Sequence, residues 1–313
     1  MNRYRWRALS LRQRTVVSVL GAVIVTGALA VELTGRSGQF TAALRAAPLS
    51  ILALTILLQL VALISRTEAW NVCVRATGAT VSRRVLFRAA GVGYLASVLN
   101  GSLGLAARIT SLRRSAPETS PRVPALLAAE VPIISVEITL TALFSFTLIG
   151  PLGLAWYVPL VAVIVALTAV FLLRRLSDRR RIGLWSGLAV MRSGRGRMVA
   201  LVLVAVCAQV ARNWLVLRGI GVHVSIFDAM ALLIAMFTLG QLPIGPSLGA
   251  AAAVLILGAH GVATAAAAGL LLTVTATVGS LIYAAWAVCD RLLGGSATRS
   301  ARAPSPRAAL EVP

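Results

Sequence analysis

Two glutamates, Glu130 and Glu137, interrupt the apolar run "LAAEVPIISVEITLTAL" that spans Leu127 to Leu143. Seven residues make two helical turns, so both carboxylates fall on one helix face. Two arginines are embedded in comparably apolar sequence, Arg108 in "GLAARIT" and Arg212 in "QVARNWL". A guanidinium grips phosphate with a planar fork, and a carboxylate meets a cationic group. The chemistry that these four residues suit is recognition of a zwitterionic or charged headgroup. Pro132 weakens the helix between the two acids and frees a carbonyl there.

Other chemistries lack their residues. His223 and His260 are far apart, and neither has a cysteine or acid beside it at ligand spacing. Cys73, Cys207 and Cys289 are scattered, as small apolar fillers are, with no disulfide or metal spacing. Without lysine a phosphate-binding GxxxxGK[ST] loop cannot form, and HExxH is missing. No cofactor, metal or soluble-enzyme active site is expected.

The elements that must position these charges follow from composition. Of 313 residues, 58% are hydrophobic and 12% charged, and mean hydropathy is +0.89. Soluble domains carry about 25% charged residues, and several stretches here approach the ~20 apolar residues that cross a bilayer. The expected class is an all-α polytopic membrane protein. The net charge of +21 comes from arginine alone. These arginines cluster between apolar runs, as the positive-inside rule requires, and do not form a groove for nucleic acid.

Arginine also orders the topology. Five arginines precede the first apolar run, about 15–33, and Ala28-Leu29-Ala30 is similar to a signal-peptidase site. That run is read as a retained first span, with cleavage as the alternative. Further full spans are expected at about 48–65, 123–149, 157–173, 198–217 and 262–288. The stretch 89–107 has strongly basic flanks on both sides, so it must enter the membrane and return. Its Gly91, Gly93, Asn100, Gly101 and Gly104 suit a broken helix. A second such hairpin is expected at 227–260, which contains "GQLPIGPSLG".

Six full spans and two hairpins result, eight to nine hydrophobic segments in all. This arrangement puts every arginine inside except Arg36, Arg45, Arg212 and Arg218. Gly/Pro-interrupted segments in both halves point to a transporter-like site near the midplane. Short Gly-rich packing helices, with Gly245 and Gly249 at a small-xxx-small contact, are the alternative. The domain limits are a basic cytoplasmic stretch 1–14, a membrane domain 15–290, and a disordered tail 291–313. Glu68, beside Trp70, is expected at the interface as an anchor.

Several motifs share an order with a known family. They are "RTEAWNVCVRATG", "YLASVLNGSLGLAARITSLRR", Glu130 opening its span, "GIGVHVSIFDAM", and "LPIGPSLGAAAAVLILGAHGV". In that order the chain resembles the transmembrane, flippase-like domain of the lysyl-phosphatidylglycerol synthase family over about residues 15–290. It departs where the family has an arginine after Glu130 (Val131 here) and a second glycine of the Pro-Gly-Gly run (Leu248 here). The family's acid after that run and its arginine in the last span are missing too.

The resemblance implies a lipid flippase with membrane lipids as its partners. The charges within the apolar runs are themselves read as a headgroup pathway lined by Glu130, Glu137, Arg108, Arg212, Asn100, Pro243, Gly245 and Gly249, with a buried ion pair that holds the bundle together as the alternative. Arg212 is read either as a partner within reach of Glu137 or as a side chain that snorkels outward, and Arg108 is expected to lie level with Glu130. The lost family charges favour an alternative, a non-transporting scaffold for a membrane enzyme, and a homo-oligomer is a further partner state. The family's synthase activity belongs to an additional soluble domain. With about 23 residues after the last span, none is expected here.

Overall fold

The structure is a computed structural model that describes residues 37–98, 101–179, 188, 190–191, 195–239, 248–258 and 261–300. Among the described residues every regular element is helical. Five helical stretches are long and apolar enough to cross a membrane: Leu49–Ala76, Val123–Leu152, Tyr157–Leu176, Arg195–Gly219 and Val262–Leu293. Each matches an expected span. The sixth, at about 15–33, lies outside the described residues.

The chain begins with α1 (Ser37–Ala46) and α2 (Leu49–Ala76). At 28 residues, α2 is about 42 Å long, enough to reach from one headgroup region to the other. It runs eleven residues past the expected end of its span, and these carry Arg66, Glu68, Trp70 and Arg75. The excess is polar helix that the bundle buries. Glu68, expected at the interface, is buried within the bundle, and Trp70 beside it is fully buried.

Two 15-residue helices follow, α3 (Arg83–Ser97) and α4 (Gly101–Ser115). The Ser82 hydroxyl caps α3 by accepting from the Val85 amide at 3.4 Å. Gly93 lies against Arg108, and Ser97 against Gly104. Partners that move in opposite directions along the sequence define an antiparallel pair. The segment therefore turns back as expected, although its helices reach from Arg83 to Ser115, well beyond 89–107.

Three of the glycines answer to the alternative expectation, that of close helix packing. Gly91 and Gly93 lie inside α3, and Gly104 inside α4, all three buried. A Cβ on Gly93 would come within 2.8 Å of the Arg108 Cβ, and one on Gly91 within 2.6 Å of the Ala287 Cβ. They let helices touch rather than break them.

The span that carries the two glutamates is jointed. Helix α5 (Val123–Ala128) meets α6 (Val131–Phe144) at Glu130, with Pro132 in the first turn of α6. Proline is tolerated there because its missing N–H is unneeded at a helix start. A 3-10 turn (Ser145–Leu148) and the short α7 (Ile149–Leu152) complete the span.

Next come α8 (Tyr157–Arg179) and α9 (Arg195–Gly219). Then α10 (Ile226–Leu239) packs against α11 (Leu248–Leu257), and α11 against α12 (Val262–Ser300). At the α11–α12 crossing, a Cβ on Gly249 would lie 2.8 Å from the Gly269 carbonyl oxygen, so these backbones meet directly. Helix α12 continues ten residues beyond the expected end of the membrane domain at 290, because no proline interrupts it before Pro304.

Helices α2 and α9 form the most extensive pair, and α12 crosses both α2 and α3. By contrast α8 packs chiefly on α6, with only 11% of its apolar window buried. Its outer face is a row of exposed side chains that includes Val161, Ile164, Val165 and Phe171. That is the pattern of a helix facing lipid.

Candidate functional site

Removing a charge from water costs several kcal/mol, so buried carboxylates need partners. The jointed span aims both of its acids inward. Glu130 and Glu137 are buried, and each finds a guanidinium on a different helix. Arg108 of α4 donates to Glu130 through Nη2. The Arg66 Nη2 of α2 donates to Glu137 Oε2 at 3.0 Å.

The α3–α4 hairpin places Arg108. Gly93 gives α4 close approach to α3, and the Arg108 guanidinium lies 4.3 Å over the Trp70 ring. One cation is thus stacked on an aromatic face and bonded to a carboxylate, an arrangement that lysine's point charge would not reproduce. The level expected for Arg108 and Glu130 is the one observed.

The expected approach of Arg212 to Glu137 is not. Arg66, 10 residues before the end of α2, takes that place instead, and the side-chain contact itself decides the pairing. Arg212, 17 residues into α9, sits about 26 Å along its helix and is turned toward α2. There its Nη1 donates to Gln59 Oε1, and its Nη2 contacts Asn213 Oδ1 at 3.4 Å. It does not snorkel out, being buried at 5% exposure. No carboxylate pairs with it among the described residues, and Arg212 Nε and Asn213 Nδ2 are buried without a partner.

Sequence reasoning missed three further groups. Glu68 accepts from Arg83 Nε at 2.9 Å, from Arg197 Nη2 at 2.8 Å and from Asn71 Nδ2 at 3.2 Å. Asp290 of α12 accepts from Arg84 and from Arg88 Nε at 2.5 Å. A hydroxyl chain joins α2, α3 and α12: Tyr283 donates to Thr67 at 3.3 Å, and Tyr94 donates to the Leu63 carbonyl at 3.0 Å. The signal for the first two was the acid itself, since Glu68 and Asp290 are rare charges next to apolar spans.

These ion pairs bear on topology. Arg83, Arg84, Arg88, Arg197, Glu68 and Asp290 gather where α2 ends, α3 and α9 begin and the last span finishes. All lie at one end of the bundle. This is the grouping that the arginine pattern required.

No family model matches the chain, and neither the curated proteins nor the solved structures yield a match. What the chain does therefore rests on its own residues.

The expected pathway divides accordingly. Arg108, Glu130 and Glu137 come together with Arg66 and Trp70, while Arg212 stands apart toward the opposite end. Gly249 is buried against Gly269 and Thr273, so it packs helices rather than lining a passage. Asn100, Pro243 and Gly245 lie outside the described residues. Among the described residues no cluster of histidine, cysteine and acid could hold a metal.

Proposed function

We propose that the protein is a lipid carrier of the plasma membrane, moving a polar-headed lipid between leaflets, with both termini cytoplasmic. The observation that supports this best is the Arg66–Glu137 pair inside a membrane span, whose arginine side chain is one-third exposed. A pair made only to hold helices together would be sealed on both sides. This one has a sealed carboxylate and an accessible guanidinium.

The chemistry is partner exchange. A lipid phosphate approaching Arg66 takes the place of Glu137, and the parting of the pair opens the sealed carboxylate to a cationic group of the same headgroup. Charge is never left bare, which avoids the roughly 2.5–3.5 kcal/mol or more that an isolated charge costs at the bilayer centre. Acyl chains stay in the surrounding lipid. Arg212, uncompensated and with an unmatched Nε, supplies a second phosphate partner toward the other leaflet.

The test is leaflet exchange of fluorescent zwitterionic and aminoacylated lipids in vesicles containing the full chain. Exchange should exceed that of protein-free vesicles. Glu137→Gln should lower it about ten-fold, the effect of losing roughly 1.4 kcal/mol of headgroup attraction. Exchange unaffected by that substitution would defeat the assignment.

A second reading has its own observation. The exposed face of α8 suits a non-transporting scaffold that binds a membrane enzyme or a second copy. Exchange at the protein-free rate, with cross-linking through cysteines placed at Val161 or Val165, would favour that reading.

A further inference from the structure

A groove separate from the ion-paired interior runs between α4 and α5. Its volume is about 550 Å³, within the range of small-ligand sites. Ala106, Ile109, Thr110 and Arg113 recur at helical spacing along one wall, with Arg114 beside them; Val123 and Leu127 form the other wall. Ile109 is its buried floor, whereas Val123 and Leu127 are exposed along it.

The groove is graded along its length. Arg113 and Arg114 occupy the last turn of α4, and Ala106 lies seven residues deeper, about 10 Å along the helix. One end is cationic and the rest is apolar apart from Thr110. Both arginines are exposed, and neither forms an ion pair with a carboxylate among the described residues. In a membrane an occupant must be anionic at the surface end and greasy beyond it. A basic pocket between membrane helices at headgroup level is a recognised site for anionic lipids.

We infer that this groove holds an anionic phospholipid, its phosphate between Arg113 and Arg114 and the start of a chain against Val123 and Leu127. The bound lipid is a resident one. It braces the outer side of α4 opposite the face that carries Arg108 to Glu130, and so steadies the hairpin. Retention of such a lipid is an equilibrium property, independent of the proposed leaflet exchange.

The experiment places the full chain in phosphatidylcholine vesicles with spin-labelled phosphatidylglycerol or spin-labelled phosphatidylcholine, and reads the immobilised fraction. Phosphatidylglycerol should be retained selectively. The double substitution Arg113→Gln/Arg114→Gln should reduce that selectivity roughly thirty-fold, whereas Arg75→Gln, at another exposed helix end, should not. Added inorganic phosphate should leave the lipid in place. Equal retention of the two lipids, selectivity that survives the double substitution, or displacement by inorganic phosphate would each overturn the inference.

Discussion

Arg108→Met is expected to lower stability by about 3–5 kcal/mol, because it leaves the Glu130 carboxylate buried with no countercharge. Glu130 and Arg108 are both buried, so water cannot take the partner's place. Thermal unfolding in mild detergent reads the loss. Adding Glu130→Gln to that variant should recover most of it, since a neutral amide is far cheaper to bury than an unpaired carboxylate. Wild-type stability in Arg108→Met, or no recovery in the double variant, would show that the pair carries no such energy. Arg108→Lys should fall between, keeping the charge while losing the fork and the stacking on Trp70.

The second large effect is expected at Trp70. This side chain is fully buried among Ala69, Cys73, Leu86 and Leu126, and its ring supports the Arg108 guanidinium. Trp70→Ala should cost about 3–5 kcal/mol through the cavity it leaves. Two milder variants separate packing from charge. Trp70→Phe keeps an aromatic face, whereas Trp70→Leu removes it, so the leucine variant should be weaker by about 2 kcal/mol, the value of a desolvated cation–π contact. Equal unfolding of the two would mean that the ring face does not hold Arg108.

The spans were legible because the bilayer imposes one strong rule, a long apolar run per crossing. The α3–α4 hairpin was legible for an electrostatic reason. Basic clusters at 83–88 and 113–122 have to share a side, and the antiparallel contacts of Gly93 with Arg108 and Ser97 with Gly104 satisfy that requirement. Helix ends were less visible. The last turns of α2 read as surface sequence because Arg66, Glu68 and Arg75 are charged, yet the fold buries Glu68 by bringing Arg83 and Arg197 to it from two other helices.

Partner choice within the site was the hardest part to read. Hydropathy gives depth along a helix but not the direction in which a side chain turns. Arg66 was assigned to the inner surface and Arg212 to Glu137, whereas the packing of α2 gives Glu137 to Arg66 and leaves Arg212 with Gln59. Glycine was ambiguous for a related reason. The same residue permits a chain break and a close helix crossing, and only the neighbour decides. At Gly91 that neighbour is Ala287, and at Gly249 it is Gly269.

The placement of Arg108 against Glu130 within the membrane depends on α3 and α4 entering it and returning as a re-entrant pair. Side-selective labelling of single cysteines tests this most directly, in a background with Cys73, Cys207 and Cys289 changed to serine. Ser82→Cys before α3 and Ser115→Cys near the end of α4 should react with a membrane-impermeant reagent from the same side, and Ser225→Cys from the other. Reaction of Ser82→Cys and Ser115→Cys from opposite sides would make the hairpin a full crossing and contradict the account.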